Sequence, residues 1–264
     1  MREPYRVAPG IHALPSELPI PGLGLQPVNA FLVMAAEPML IDAGMPVDRA
    51  AFEHSLHSLV DPSDLRWIVV THDDRDHTGL LPRLLETAPQ ATLVTSPISV
   101  TRLCEEFRLP QERIVTANPG GRLRTADRVL SFHRPPVFDS PGTLAVHDHA
   151  SGTLYSSDSF GTVLPEIGDH LHDHEEQEFF EGFAVLNRAI APWTRLVDPV
   201  KFLEPIAELR DLRPERLLSS HAPAVEGNLD PLFEAMARVP DLPPWPPEAD
   251  LEAALDAHET AHSS

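Results

Sequence analysis

The chain has 264 residues, with 20 basic side chains against 40 acidic ones and a formal net charge of −20, and is long enough to bury a sizeable core. A surface this acidic repels phosphate backbones and anionic lipid, so neither nucleic acid nor a membrane is an expected partner. Apolar runs such as Phe31–Ala36 fall far short of the roughly 20 residues a membrane-spanning helix needs.

Met1 to Gly10 carries two arginines with no apolar stretch behind them, so no signal peptide is expected. Cys104 is the only cysteine. It excludes an intrachain disulfide and any cysteine-rich zinc or iron–sulfur site, and suits a reducing cytoplasm.

The proline- and glycine-rich opening, Val7–Pro27, reads as loops around one short strand at Ile11–Leu14. Asn29–Ala35 and Met39–Ile41 read as a hairpin. Asp42-Ala43-Gly44 ends its second strand, and Val47–Val60 has helical spacing of apolar residues. Arg66–Val70 predicts a short buried strand, followed by a helix at Gly79–Ala88, a strand at Thr92–Thr95 and a helix at Ser99–Phe107.

Short strands are predicted at Arg122–Arg124, Val129–His133, Thr143–His147 and Thr153–Ser156. Helices at about Glu175–Ala191 and Val200–Leu212 then lead to a last strand, Arg216–Ser219. Residues 1–238 are expected to form one domain. Residues 239–264, rich in Pro, Asp, Glu and Ala, read as a C-terminal tail with a short helix at Glu248–His258. Strands mixed with covering helices suggest an α/β sandwich.

The chemistry concentrates where Arg66–Val70 stops. His72, Asp74, Asp76 and His77 are four candidate metal ligands within six residues. Asp73, Asp74 and Asp76 would repel one another unless a cation offset them.

The run Thr71-His72-x-Asp74-x-Asp76-His77-Thr78-Gly79 resembles the His-x-(His/Glu)-x-Asp-His signature of the metallo-β-lactamase superfamily. Leu40–Gly44 is similar to its strand-ending Asp-x-Gly turn. Leu154–Gly161 is similar to the segment with a metal-bridging aspartate, and Leu218–Pro223 to the segment with the last histidine. A carboxylate at position 74, the Ser-Asp-x-Phe-Gly and Ser-His-x-Pro forms and the helices with Asn187–Pro192 resemble the flavodiiron, oxygen-binding di-iron branch.

The resemblance spans about residues 7–230 and implies a four-layer αββα metallo-β-lactamase-like sandwich. It also implies two metals, one held by His72 and Asp74, the other by Asp76, His77 and His221, with Asp158 bridging. Asp76 and Asp158 would be the catalytic carboxylates, and Asp42 would orient the ligand loop.

One departure stands out. Asp139 falls where the family places a histidine. With it the donor set is three histidines and four aspartates. Two divalent metal ions are expected, with iron favoured by the oxygen-rich set and zinc or manganese as alternatives.

His170, His172 and His174 could instead lie over the metals, although a solvated acidic loop is the plainer reading. His147-Asp148-His149 reads as a polar turn, His54 and His57 as solvent-facing, and Cys104 as a buried or half-buried inert thiol. Gly120-Gly121 reads as a turn, and no Gly-x-Ser-x-Gly elbow is present.

The resemblance implies binding or reduction of O2 or NO. No flavin phosphate loop or Cys-x-x-Cys pair is present, and too few residues follow position 230 for a flavodoxin domain, so electrons are expected from a separate donor protein. Two alternatives remain: a metal-dependent hydrolase of an ester, thioester or phosphoester, and a sensor or binding protein with an inert site. The partners expected are a small-molecule ligand or substrate, the electron donor and, in a homo-oligomer, further copies of the chain.

Overall fold

A computed structural model describes residues 1–245. The chain opens with a meander of β1 (Tyr5–Ala8), β2 (Ile11–Ile20) and β3 (Gly24–Val33). This corrects the expectation of loops around one short strand, and the register explains why the prolines are tolerated. β2 and β3 pair as Pro15↔Asn29, Glu17↔Pro27 and Pro19↔Leu25. At these positions the N–H groups face away from the pair: Leu25 donates to the Leu164 carbonyl and Asn29 to that of Ser220. Pro15, Pro19 and Pro27 therefore cost the β2–β3 ladder no hydrogen bond.

β4 (Met39–Ile41) pairs antiparallel with β3 and begins a parallel run. It is followed by α1 (Arg49–Leu59), β5 (Trp67–Val69), α2 (Arg75–Thr78), α3 (Leu81–Thr87), β6 (Thr92–Thr95), α4 (Pro97–Glu106) and β7 (Ile114–Thr116). These strands form a seven-stranded sheet in the order β1 to β7. β7 is not foreseen from the sequence. It is a three-residue edge strand whose definition comes from parallel pairing with β6 rather than from its own pattern.

The second sheet contains β8 (Arg122–Arg124), β9 (Val129–His133), β10 (Ala145–Asp148) and β11 (Thr153–Tyr155). After α5 (Glu176–Ile190) and α6 (Pro199–Asp211), β12 (Arg216–Leu218) and β13 (Val225–Glu226) complete six strands in the order β13-β12-β11-β10-β9-β8. The final described helix, α7 (Asp230–Ala237), and β13 are both absent from the sequence expectation.

Side-chain alternation along these strands builds three apolar layers. Leu40, Ile68 and Leu93 face Phe52, Leu56, Leu81 and Leu103 on the outer side of the first sheet. Their neighbours Met39, Ile41, Val69 and Val94 face Phe132, Val146, Tyr155 and Leu218 between the sheets. Ala145, Leu154 and Leu217 meet Phe179, Phe183, Phe202 and Phe233 of α5, α6 and α7 on the far side. The chain has the four-layer αββα architecture implied by the resemblance.

Two local expectations are corrected. His147 and Asp148 are buried strand residues rather than a polar turn, with Arg128 paired to Asp148. Cys104 is exposed, because α4 turns Ser99 and Leu103 inward instead. Val239 is fully buried, and Arg188 donates to the Pro243 carbonyl, so the described start of the tail lies along α5. The helix expected at Glu248–His258 lies outside the described residues.

Candidate metal centre

Every ligand suggested by the motifs lies in a connection between strands at one rim of the sandwich. β4 ends at Asp42, and β5 ends at the 71–78 loop. The β9–β10 connection carries Asp139, β11 leads to Asp158, and β12 leads to His221. Rigid strands thus deliver the ligands while their own pairing stays intact.

Asp158 lies at the middle, 2% exposed. Its Oδ2 is 3.4 Å from His72 Nε2, while its Oδ1 is 3.0 Å from His77 Nε2 and 3.3 Å from His221 Nε2. On the first side, His72 Nε2 is also 3.8 Å from Asp74 Oδ2 and 3.7 Å from Asp139 Oδ1. On the second, Asp76 Oδ2 is 3.6 Å from His77 Nε2 and 3.4 Å from His221 Nε2. His72, Asp74 and Asp139 thus form one group with ligand spacing, and Asp76, His77 and His221 another.

The imidazoles are oriented from behind. His77 Nδ1 lies 2.8 Å from Asp42 Oδ2, and His221 Nδ1 lies 2.8 Å from the Pro27 carbonyl oxygen. Both partners accept, which assigns the proton to Nδ1 and leaves Nε2 as a lone-pair donor turned into the site. His72 Nδ1 is 3.1 Å from Ser157 Oγ, which donates to Thr71 Oγ1 at 2.9 Å. Thr71 Oγ1 in turn donates to Asp42 Oδ2 at 3.0 Å, and the Thr71 N–H donates to Asp42 Oδ1.

Local backbone strain accompanies this arrangement. Asp42, Ser157 and Phe160 have φ of 61°, 56° and 65°, a region that costs a non-glycine residue on the order of 1 kcal/mol or more. Their hydrogen bonds offset that cost. The Phe160 N–H is received by Asn187 Oδ1, and Asn187 Nδ2 donates to the carbonyls of Gly161 and Phe183.

The site's field favours positive charge. Burial opposes protonation of His72, His77 and His221, yet the carboxylates raise all three pKa values. Asp158 dominates at His72 and His221, and Asp76 at His77. Burial would raise the Asp158 carboxyl, but the three imidazoles hold it well below the usual carboxylate range. Burial and the adjacent Asp158 charge push Asp139 up to about 6.

His72 Nε2, His77 Nε2 and Asp158 Oδ1 are buried without a hydrogen bond. Buried polar atoms are normally satisfied, and two orphaned imidazole nitrogens converging on a carboxylate with an orphaned oxygen fit cation coordination. The residues present therefore fit a pair of metal ions.

His170, His172 and His174 stand apart from these groups. His170 bridges to Ala224, His172 is 80% exposed, and His174 Nε2 accepts the Gly168 N–H. Thr71, Ser157, Ser220, Gln26 and Asn29 are supporting residues that sequence reasoning missed. Ser220 Oγ donates to Asp42, the Gln26 side-chain amide lies 3.1 Å from His221 Nδ1, and Asn29 donates to the carbonyls of Ser219 and Ala222. The serines and Thr71 lie beside the motif residues, whereas Gln26 and Asn29 arrive through long-range pairing of β3.

Two stacked sheets between helices, with histidine and aspartate loops at one rim, define a metallo-β-lactamase-like fold with a candidate two-metal centre. The family model described as ODP family beta lactamase matches residues 26–205, and the chain belongs to that family.

Among proteins similar to this chain is a diflavin flavoprotein A 1 of Synechocystis sp. It is 29% identical over 134 residues, covering 50% of this chain and 23% of its own length. The flavodiiron protein of Giardia intestinalis shares the fold with a TM-score of 0.79 at 14% identity, over 91% of this chain and 60% of its own. Rubredoxin oxygen:oxidoreductase of Desulfovibrio gigas does so with a TM-score of 0.76 at 17% identity, over 90% and 61%. The chain spans less than half the length of the first curated relatives it matches.

Proposed function

We propose that this chain is a di-metal protein, iron-loaded in its working form, that binds or reduces O2 or NO with electrons from a separate donor. The carrying observation is the division of Asp158, whose two oxygens face two different sets of ligands. His72, Asp74 and Asp139 would hold one ion, and Asp76, His77 and His221 the other, with Asp158 shared between them. Three imidazole nitrogens and four carboxylates form an oxygen-rich set that suits iron or manganese better than zinc. When bound, the ion pair would supply open positions for a diatomic ligand and exchange electrons with it.

The chain's own residues shape access to those positions. Asp74 is 43% exposed and Asp139 34% exposed, so the mouth is lined by carboxylates. Such a rim admits a neutral diatomic molecule and opposes an anionic phosphoester, which favours redox chemistry over phosphoester hydrolysis. His72 and His77 are held from behind by hydrogen bonds that keep Nε2 turned inward. The likeness to a rubredoxin oxygen:oxidoreductase and a flavodiiron protein supports the same reading.

Anaerobic purification with elemental analysis provides the test, followed by rapid mixing of chemically reduced, iron-loaded protein with O2 or NO. Two irons per chain, with oxidation of the site on mixing, are expected. Two zincs with ester or thioester turnover would establish a hydrolase instead, and a protein that binds no metal would establish an inert sensor.

A further inference from the structure

Asp139 has an unusual problem of reach. It stands where the resembled family has a histidine, and its side chain is shorter than an imidazole arm. No side chain hydrogen-bonds its carboxylate among the described residues, so its position is inherited from its loop. That loop is fastened at four points. The Val137 N–H donates to Ser159 Oγ at 3.1 Å, beside the bridging aspartate. Arg134 donates to the carbonyls of Pro141 and Thr143, each at 2.8 Å. Ser140 Oγ receives Arg102 at 3.2 Å. Immediately before Asp139, the Phe138 carbonyl receives the Trp193 indole N–H at 2.8 Å.

The last contact is the only one of the four to grip the peptide that joins residues 138 and 139. It is reinforced by ring packing. The Trp193 and Phe138 rings lie 4.7 Å apart at 42°, and the Arg134 guanidinium lies 5.2 Å from the Phe138 ring centre. Trp193 belongs to the tight turn Pro192–Leu196, after α5, where Thr194 Oγ1 donates back to the Ala191 carbonyl. It therefore brings a rigid, half-buried partner to the peptide that leads directly into Asp139.

We infer that Trp193 is a positioning residue that sets the reach of Asp139, and so governs occupancy of the first metal position while leaving the second unaffected. The inference rests on the two-metal reading. Its asymmetry follows from the connections: Asp76, His77 and His221 are held by α2, Asp42 and Pro27, none of which is hydrogen-bonded to Trp193 or Phe138.

Trp193→Phe keeps an aromatic ring but removes the N–H, leaving the Phe138 carbonyl without its donor. Metal titration against a competing chelator, with iron(II) as the probe, should show at least tenfold weaker binding of one ion and an unchanged affinity for the other. The metal-free forms should melt alike.

In an Asp139→His background the longer imidazole arm should make Trp193→Phe inconsequential for metal binding. Phe138→Leu, which keeps the carbonyl but removes the stacked ring, should weaken the same ion. The inference is overturned if Trp193→Phe retains both affinities, weakens both ions together, or weakens binding equally in the Asp139→His background. If the unsubstituted protein binds fewer than two ions, the two-metal reading itself fails, and the two failures are thereby distinguished.

Discussion

Asp42 receives the Nδ1 proton of His77 while also receiving the hydroxyl and amide of Thr71. Through Ser157, the same network reaches His72. One buried carboxylate thus orients an imidazole on each side of Asp158, although it lies in neither ligand group. Asp42→Asn would replace the acceptor by an amide that cannot satisfy all these donors. Metal affinity should fall roughly 10- to 100-fold, the usual cost of losing such an orienting partner. Chelator competition on the folded variant measures this, and unchanged affinity for both ions would refute the orienting role.

Asp158→Asn should be more severe. It removes the charge facing His72, His77 and His221 and, among the described residues, the only carboxylate that faces both sides. Both ions should be lost on dialysis, whereas Asp74→Asn should cost only one. Metal counts by elemental analysis distinguish these outcomes, and a two-metal Asp158→Asn protein would sink the shared-ligand assignment.

Asn187 offers a test of the scaffold. Asn187→Ala would strip partners from the Phe160 N–H and the Gly161 carbonyl. Each buried group left unpaired costs about 1–3 kcal/mol, so urea denaturation should show a total loss of about 2–6 kcal/mol. Full stability would mean that the strained Ser157–Phe160 turn is supported by other contacts.

Chelation should also be visible as stability. Removing the ions leaves Asp74, Asp76, Asp139 and Asp158 close together around one rim, with only imidazoles to offset them. A loss of several degrees in melting temperature is expected for a chain of this length, where about 1 kcal/mol corresponds to roughly 2–4 °C. An unchanged melting curve after verified metal removal would contradict it.

His147, which belongs to neither candidate ligand group, yields a pH dependence of its own. Burial, with His149 and His133 nearby, lowers its pKa to about 4, against an unfolded value of about 6.5. Between those values the unfolded chain binds a proton that the folded chain does not. Stability contributed by His147 is therefore present above about pH 6.5 and declines as pH falls toward 4, at up to about 1.4 kcal/mol per pH unit. His147→Leu should flatten this part of the stability–pH curve relative to the unsubstituted protein. Parallel curves from urea titrations at pH 5 and 7.5 would exclude the effect.

Much of the candidate centre was legible because its residues sit in short local motifs. His72 to His77 are contiguous, and Asp158 and His221 each follow a strand with a recognisable ending. The opening meander was not legible, because Pro15, Pro19 and Pro27 signal loops locally and only the β2–β3 register shows that their missing N–H groups face outward. Gln26 and Asn29 were missed for the same reason: their relation to His221 exists only after β3 crosses to the β12 end of the second sheet. Trp193 likewise lies 54 positions from Asp139 in the chain and meets its neighbour only through the folded turn.

The ligand loops are divided between the two sheets. The 72–77 loop leaves β5 of the first, while Asp158 and His221 leave β11 and β12 of the second. An ion pair held as proposed would therefore clasp the seam between the halves as well as serve as a chemical centre. During synthesis the first half emerges with its acidic loop complete but its far-side ligands still unmade. On the proposed assignment neither position has its full set of side chains until the second sheet has docked, so both ions would be loaded only after the halves have met.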